Sequence, residues 1–188
     1  MRITKSVRIL GIDDASFNNN DKIVKVVGTI FRGINLIEGF LIFDIEKDGL
    51  DITENLIDAI KKSKFAEQIS VVISKGVTFA GFNILDIKEF YEKTKIPYIV
   101  VMRKNPDFVK IKNALNKIDN SHDRFKKLQN AGLIRKYGNI LYQSIGLEDK
   151  DVEFILKLSI KHANIPEPIR ISHLIGSAIT FGESRGQV

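Results

Sequence analysis

Ile69-Ser-Val-Val-Ile-Ser-Lys-Gly-Val-Thr-Phe-Ala-Gly-Phe-Asn83 is the stretch that decides the fold. Its opening, Ile69–Ser74, is a short apolar run, as expected of a strand in the middle of a sheet covered on both faces. Lys75–Asn83 is a glycine-punctuated loop, and Asn83 can cap a following helix, Ile84–Thr94, with Ile84, Ile87 and Tyr91 on one face. Ile96-Pro-Tyr-Ile-Val-Val-Met102 reads as the next strand, with proline at its edge. Upstream, Thr53 is the expected N-cap of a helix carrying Leu56, Ile57 and Ile60 at helical spacing, with Lys61 and Lys62 near its end. The middle of the chain therefore alternates strands and helices, which predicts parallel βαβ units.

Working outward, Ser6–Gly11 reads as a buried strand ending at Gly11 and the acidic pair Asp13-Asp14. Ile23–Ile30 and Leu36–Ile45 are strand-like, separated by a turn at Gly33, so the first three strands should form an antiparallel meander. Beyond residue 102, Asp107–Ile118 and the short basic segment Ser121–Gln129 read as helices. Gly132–Ile145 reads as a hairpin or irregular pair turning at Tyr137-Gly138-Asn139. Glu148–Ala163 should be a helix, Ile165–Pro168 a break, Ile169–Thr180 the last helix, and the tail from Phe181 frayed.

A chain of 188 residues suits one domain, expected to span residues 1–188. It contains no cysteine, which excludes disulfides, thiolate metal sites and thiol nucleophiles. Any metal site must use carboxylate, histidine or carbonyl ligands, and such ligands favour hard ions such as Mg or Mn. No apolar run approaches the ~20 residues of a membrane-spanning helix, and Met1-Arg-Ile-Thr-Lys5 leads into no secretory h-region, so the cytoplasm is the expected location. Nothing in the sequence indicates a homo-oligomer.

The net charge of +6 is uneven. Between Val101 and Tyr142 there are ten Lys/Arg, including Arg103 and Lys104, against three acids, Asp107, Asp119 and Asp123. An excess of this kind suits phosphate, and DNA or RNA is the expected partner; a lysine-rich solvated surface is the plainer alternative.

A three-strand meander followed by parallel βα units is the ribonuclease-H-like order. On that scaffold an acid at the end of the first strand, one at a helix start, one at the end of the fourth strand and a C-terminal Asp, Glu or His hold ions against a phosphate. Gly11-Ile-Asp-Asp-Ala-Ser-Phe17 resembles the first-strand motif of endonuclease V, with Asp13 in the catalytic place. Asn164-Ile-Pro-Glu-Pro-Ile-Arg-Ile-Ser-His-Leu174 resembles that family's C-terminal Leu-Pro-Glu-Pro-x-Arg-x-Ala-(His/Asp) motif, with His173 as the last residue of the metal shell. Gly76-Val-Thr-Phe-Ala-Gly-Phe-Asn83, followed by Asp86, and Asp48-Gly-Leu-Asp-Ile-Thr-Glu54 resemble a mainly archaeal domain-of-unknown-function family, number ninety-nine, related to endonuclease V. The resemblance covers essentially the whole chain. It implies an endonuclease V-like domain with an α/β, ribonuclease-H-like mixed sheet flanked by helices.

The resemblance implies Asp13 and His173 as metal ligands, and Asp13, one of Asp51 or Glu54, and His173 as the catalytic set, with Mg or Mn as cofactor. Lys75, Thr78, Asn83, Arg103, Lys104 and Arg170 are the candidate nucleic-acid contacts. Each has a plainer reading: Asp51 and Glu54 as favourable charges in a helix's first turn, Thr78 and Asn83 as a tight turn and cap, Arg170 as partner of a structural carboxylate. The sequence departs from the pattern at Ser74-Lys75-Gly76, where both related families usually end the strand Asp-Gly. An ammonium cannot ligate a divalent ion and repels it; it can instead take the ion's place and pair with Asp13. Two functions follow. One is a divalent-metal-dependent endonuclease acting on phosphodiesters, and the other is a non-catalytic nucleic-acid-binding module. A small-phosphate binder using the glycine loop 76–83 is a third, though neither GxxxxGK[ST] nor GxGxxG is present.

Overall fold

Three long strands lead the chain: β1 (Arg8–Asp14), β2 (Ile23–Arg32) and β3 (Leu36–Glu46), joined as an antiparallel meander. The helix α1 (Ile52–Lys62) crosses to β4 (Val71–Lys75), which pairs parallel to β1, and α2 (Ile87–Thr94) crosses to β7 (Tyr98–Met102), parallel to β4. Between β4 and α2 lies a two-stranded ribbon, β5 (Thr78–Phe79) and β6 (Asn83–Ile84), where the sequence predicts only a loop. The helices α3 (Phe108–Leu115) and α4 (Ser121–Asn130) precede a hairpin of β8 (Arg135–Tyr137) and β9 (Ile140–Ile145), and β9 pairs antiparallel to β7. The chain closes with α5 (Asp149–Ser159) and α6 (Glu167–Phe181). The large sheet has seven strands in the order β3-β2-β1-β4-β7-β9-β8. This computed structural model describes residues 4–33, 35–161 and 165–185. Asn164 of the C-terminal motif, the expected helix end at Ala163, and residues 186–188 of the tail lie outside them.

Strand alternation divides the core into two layers. Leu10, Ile12, Val72 and Val100 face α1 and α2, packing with Leu56, Ile60 and Phe90. Ile9, Val71, Ile73 and Ile99 face α5 and α6, packing with Val152, Ile155, Leu156 and Ile169. The central strand β4 reads apolar from Val71 to Ile73 because both of its faces are covered there.

Caps differ from those the sequence suggests. Asp86, not Asn83, caps α2, accepting from Lys88 N and Glu89 N at 3.0 and 3.1 Å. Thr53 lies inside α1, and its hydroxyl accepts from Asp86 N at 3.0 Å, tying the two helices together. The last helix starts at Glu167, two residues before expectation, because Pro166 at the N-cap and Pro168 in the first turn fit where amides lack partners anyway. The tail folds back as far as Arg185, whose amide donates to Ser177 Oγ at 2.8 Å.

Candidate functional site

The carboxyl end of β1 carries Asp13 and Asp14, whose side chains leave opposite faces of the sheet. Asp13 points toward α6, where its Oδ2 meets His173 Nδ1 at 2.8 Å. Two glycines allow that meeting. A Cβ on Gly11 would lie 2.3 Å from the carbonyl carbon of Pro168, and one on Gly176 would lie 3.0 Å from Ala15 Cα. The helix backbone therefore rests directly on the strand. Ser172 fixes the rotation of α6, with its Oγ donating to Gly11 O or Pro168 O at 2.9 and 3.0 Å and sharing a 2.8 Å bond with Thr29 Oγ1. One residue later, about 100° further round that helix, His173 reaches Asp13.

Lys75 ends β4, one position beyond the Ile12–Ser74 pairing of the parallel ladder, so it stands beside Asp13. Asp13, Asp14, Ala15, Phe17, Lys75 and His173 line an open cleft of about 450 Å³. Among the described residues Lys75 makes no ion pair; His173, not the ammonium, takes the carboxylate of Asp13. The hydrogen bond to the Asp13 carboxylate holds the His173 imidazole above its usual pKa, against burial and the Lys75 charge. Asp14 turns the other way and accepts from Ala80 N at 2.7 Å. Burial, with the Asp13 charge adding to it, pushes Asp14 up to about 6.

A second cavity of about 510 Å³ begins at Gly76, the residue after Lys75. Thr78, Met102, Lys104, Asn105, Phe108 and Gln143 are among its walls. Arg103 is exposed beside it and shares a small apolar crevice with Lys75. Lys75, Thr78, Arg103 and Lys104 thus gather along one edge of the sheet, at the carboxyl ends of β4 and β7.

The other candidates lie elsewhere. Asp51 accepts from Glu46 N, from Asn55 Nδ2 at 2.8 Å and from Asn83 Nδ2, closing the β3–α1 junction. Glu54 pairs with Lys93 across α1 and α2. Neither lines the cleft. Asn83 is fully buried; its Oδ1 accepts from Ile52 N at 3.2 Å, capping α1 from outside that helix, since Asp51 makes no cap bond of its own. Arg170 is held by Glu167 through Nε and Nη2 at 2.7–3.0 Å, and that carboxylate keeps its guanidinium above the ordinary value. Of the basic segment, Arg124 is buried, with its guanidinium donating to the carbonyls of Asp48, Gly49, Phe82 and Asp119. Sequence reasoning misses Gly11, Thr29, Ser172 and Gly176, which build the seam; Gly176, three residues after His173, carries the faintest signal, a glycine inside a helical pattern.

The donor set can be tested against the divalent ions the scaffold implies. Among the described residues no three His, Asp or Glu side chains group so as to hold a metal. Asp13 is engaged with His173, Asp14 faces a backbone amide, and an ammonium stands in the same cleft. These residues do not fit a Mg or Mn site.

A meander continued by parallel βα units, here with an Asp–His pair at the carboxyl edge, is a ribonuclease-H-like fold of the endonuclease V kind. Endonuclease V of Ciona intestinalis, solved in complex with a DNA containing an inosine, matches this fold with a TM-score of 0.59 at 13% identity, over 88% of this chain and 82% of that one. Human endonuclease V matches with a TM-score of 0.58 at 12% identity, over 92% and 84%. At such identities the likeness is one of fold. Residues 5–180 match the Endonuclease dU family, and the chain belongs to that family. A protein of Archaeoglobus fulgidus named UPF0215 protein is 45% identical over 183 residues, covering 97% of this chain and 99% of the relative. A crystal structure of a protein of unknown function from Archaeoglobus fulgidus gives a TM-score of 0.86 at 43% identity, over 92% and 98%.

Proposed function

We propose that the chain binds nucleic acid along the carboxyl edge of its sheet and acts as an endonuclease on a phosphodiester seated against Asp13 and His173. The observation that carries this reading is the 2.8 Å Asp13–His173 bond at the mouth of a cleft that also contains Lys75. An imidazole whose Nδ1 is held by a carboxylate presents Nε2 as a general base, and Nε2 has no hydrogen-bond partner among the described residues. It can take the proton of a water whose oxygen bonds to phosphorus as the P–O bond to the leaving strand breaks, the departing oxygen taking a proton from solvent, while Lys75 offsets charge on a non-bridging oxygen. The adjoining cavity at Gly76–Thr78 is large enough for a base turned out of its stack. Lys104 lines that cavity and Arg103 is exposed next to it in sequence, which supports a phosphate contact there.

The test is cleavage of end-labelled single- and double-stranded DNA and RNA, plain or carrying one uracil or one hypoxanthine. These bases are chosen from the family's name and from the inosine-bearing DNA of the Ciona complex. Reactions run with Mg, with Mn and with EDTA, beside Asp13→Asn and His173→Ala. Cutting by the wild-type chain that both substitutions abolish establishes the enzyme. Binding without cutting of any substrate supports the second reading, a non-catalytic nucleic-acid module, which the ammonium in the cleft favours.

A further inference from the structure

The cleft has the position of an ion site and the wrong charges for one. Asp13 and Lys75 stand side by side at the ends of two parallel strands, so a cation entering between them meets an ammonium. That ammonium makes no ion pair among the described residues, although the Asp13 carboxylate is its neighbour. The carboxylate is already satisfied by His173, and Asp14 has turned to the Ala80 amide on the opposite face. What remains open in the cleft is a positive charge on Lys75 with unfilled donor capacity: an ammonium has three donors and no acceptor. A divalent cation placed there feels twice the repulsion of a monovalent one and finds no group of three His, Asp or Glu donors among the described residues. An oxyanion finds the opposite.

From this we infer that Lys75 stands in for a metal ion: the cleft rejects a divalent cation and takes a phosphate oxygen directly against the Lys75 ammonium. The inference rests on the reading that the cleft receives nucleic acid, and it adds that this contact needs no metal. Charge neutralisation by a lysine differs from that by an ion in one measurable respect. It displaces counterions from the nucleic acid, so its loss changes the salt dependence of binding by about one phosphate's worth, a slope of about 0.7 for a single strand.

Two measurements decide it. The first uses Mn²⁺ and the protein alone, with the broadening of His173 imidazole resonances as readout. The wild-type chain is expected to show none at equimolar Mn²⁺, and Lys75→Asp is expected to show strong broadening. Equal broadening in the two proteins would overturn the inference. The second is fluorescence anisotropy with a labelled single-stranded oligonucleotide carrying one uracil, titrated with NaCl in EDTA and again in Mg. Wild-type affinity is expected to agree within about twofold between the two buffers. Lys75→Gln is expected to bind several-fold more weakly at low salt, with the slope reduced by about 0.7. Wild-type binding that collapses in EDTA, or a Lys75→Gln protein with undiminished affinity and slope, would overturn it. If the wild-type chain binds no oligonucleotide in either buffer, the nucleic-acid reading itself falls, and the manganese arm still decides whether Lys75 excludes the ion.

Discussion

Two polar junctions hold this molecule together, and they differ in whether their valences are closed. At the β3–α1 junction, Asp51 receives donors from a backbone amide and two asparagines, Asn83 has its Oδ1 and Nδ2 both bonded, and Arg124 spends its guanidinium on four carbonyls. Among the described residues, Asp51, Asn83 and Arg124 all have their side-chain polar groups partnered there. At the α6–β1 seam, Ser172 and Thr29 are closed in the same way, but the next residue along opens outward. Among the described residues, His173 has one nitrogen bonded and one without a hydrogen-bond partner, and Lys75 beside it has no ion pair. Both junctions contain motif residues of the same resemblance. A saturated network positions the chain; an unsaturated one at a cleft has something left to offer a ligand.

The sharpest way to break the comparison is to separate helix from strand. Gly11→Ala puts a methyl 2.3 Å from the Pro168 carbonyl carbon and 2.6 Å from Ile169 N. Because the obstacle is backbone, we expect a loss of about 4 kcal/mol, above the usual cost of overpacking, read as a fall in the urea midpoint. A value under about 1 kcal/mol would show that α6 does not rest on β1 as described. Arg124→Ala is the matching test of the closed junction. It strips donors from four carbonyls at once, and about 3 kcal/mol is expected. Lysine at that position should recover less than half, since a point charge cannot serve four acceptors set in a fork. Neither the cleft's charges nor its salt slope should change in the folded fraction of either Arg124 variant.

The fold is more legible in the sequence than the site is, for a physical reason. Strand alternation and the apolar run at Ile69–Ser74 are local patterns, and they predict the meander, the parallel units and a hairpin or irregular pair turning at Tyr137–Asn139, of which the structure has the hairpin. Asp13 and His173, 160 residues apart, are suggested by motif and are brought to 2.8 Å by the fold. Asp51 and Glu54 are equally suggested and stand outside the cleft, because a carboxylate in a helix's first turn looks alike whether it faces a ligand, an asparagine or a lysine. Arg124 is counted with the surface charges because nothing local marks a guanidinium as buried. Close approach of α6 to β1 depends on Gly11 facing the Pro168 backbone and Gly176 facing the Ala15 backbone, relations between distant positions that no window of sequence contains.

Asp14 sharpens the comparison through pH. Its folded pKa, about 6 against the ordinary 3.8, means that the folded chain binds this proton more tightly than the unfolded chain. The penalty is therefore absent below about pH 4, grows as pH rises through 6, and is complete above it. Asparagine keeps an oxygen for the Ala80 amide and carries no charge. Asp14→Asn should thus be more stable than wild type by about 2 kcal/mol at pH 8, with the difference vanishing near pH 4. An unchanged difference across that range would mean that burial does not penalise the carboxylate.

The smallest effect on stability should come from the pair at the centre of the site. The His173 and Asp13 side chains are 26% and 12% exposed, so water screens much of their attraction. His173→Ala should cost under about 1 kcal/mol. Because the folded imidazole titrates above its ordinary value, whatever the pair contributes is full below about pH 6.5 and is lost as pH rises through the folded pKa. Asp13→Asn replaces the charged acceptor with a neutral amide oxygen while burial and Lys75 still press the imidazole down, so the His173 titration followed by NMR should move below the wild-type value. Activity or nucleic-acid binding, in contrast, should fall far more than stability in both variants. A chain in which these two substitutions unfold the protein as readily as Gly11→Ala would place the Asp13–His173 pair with the saturated junction, as a structural clasp with nothing left over for a ligand.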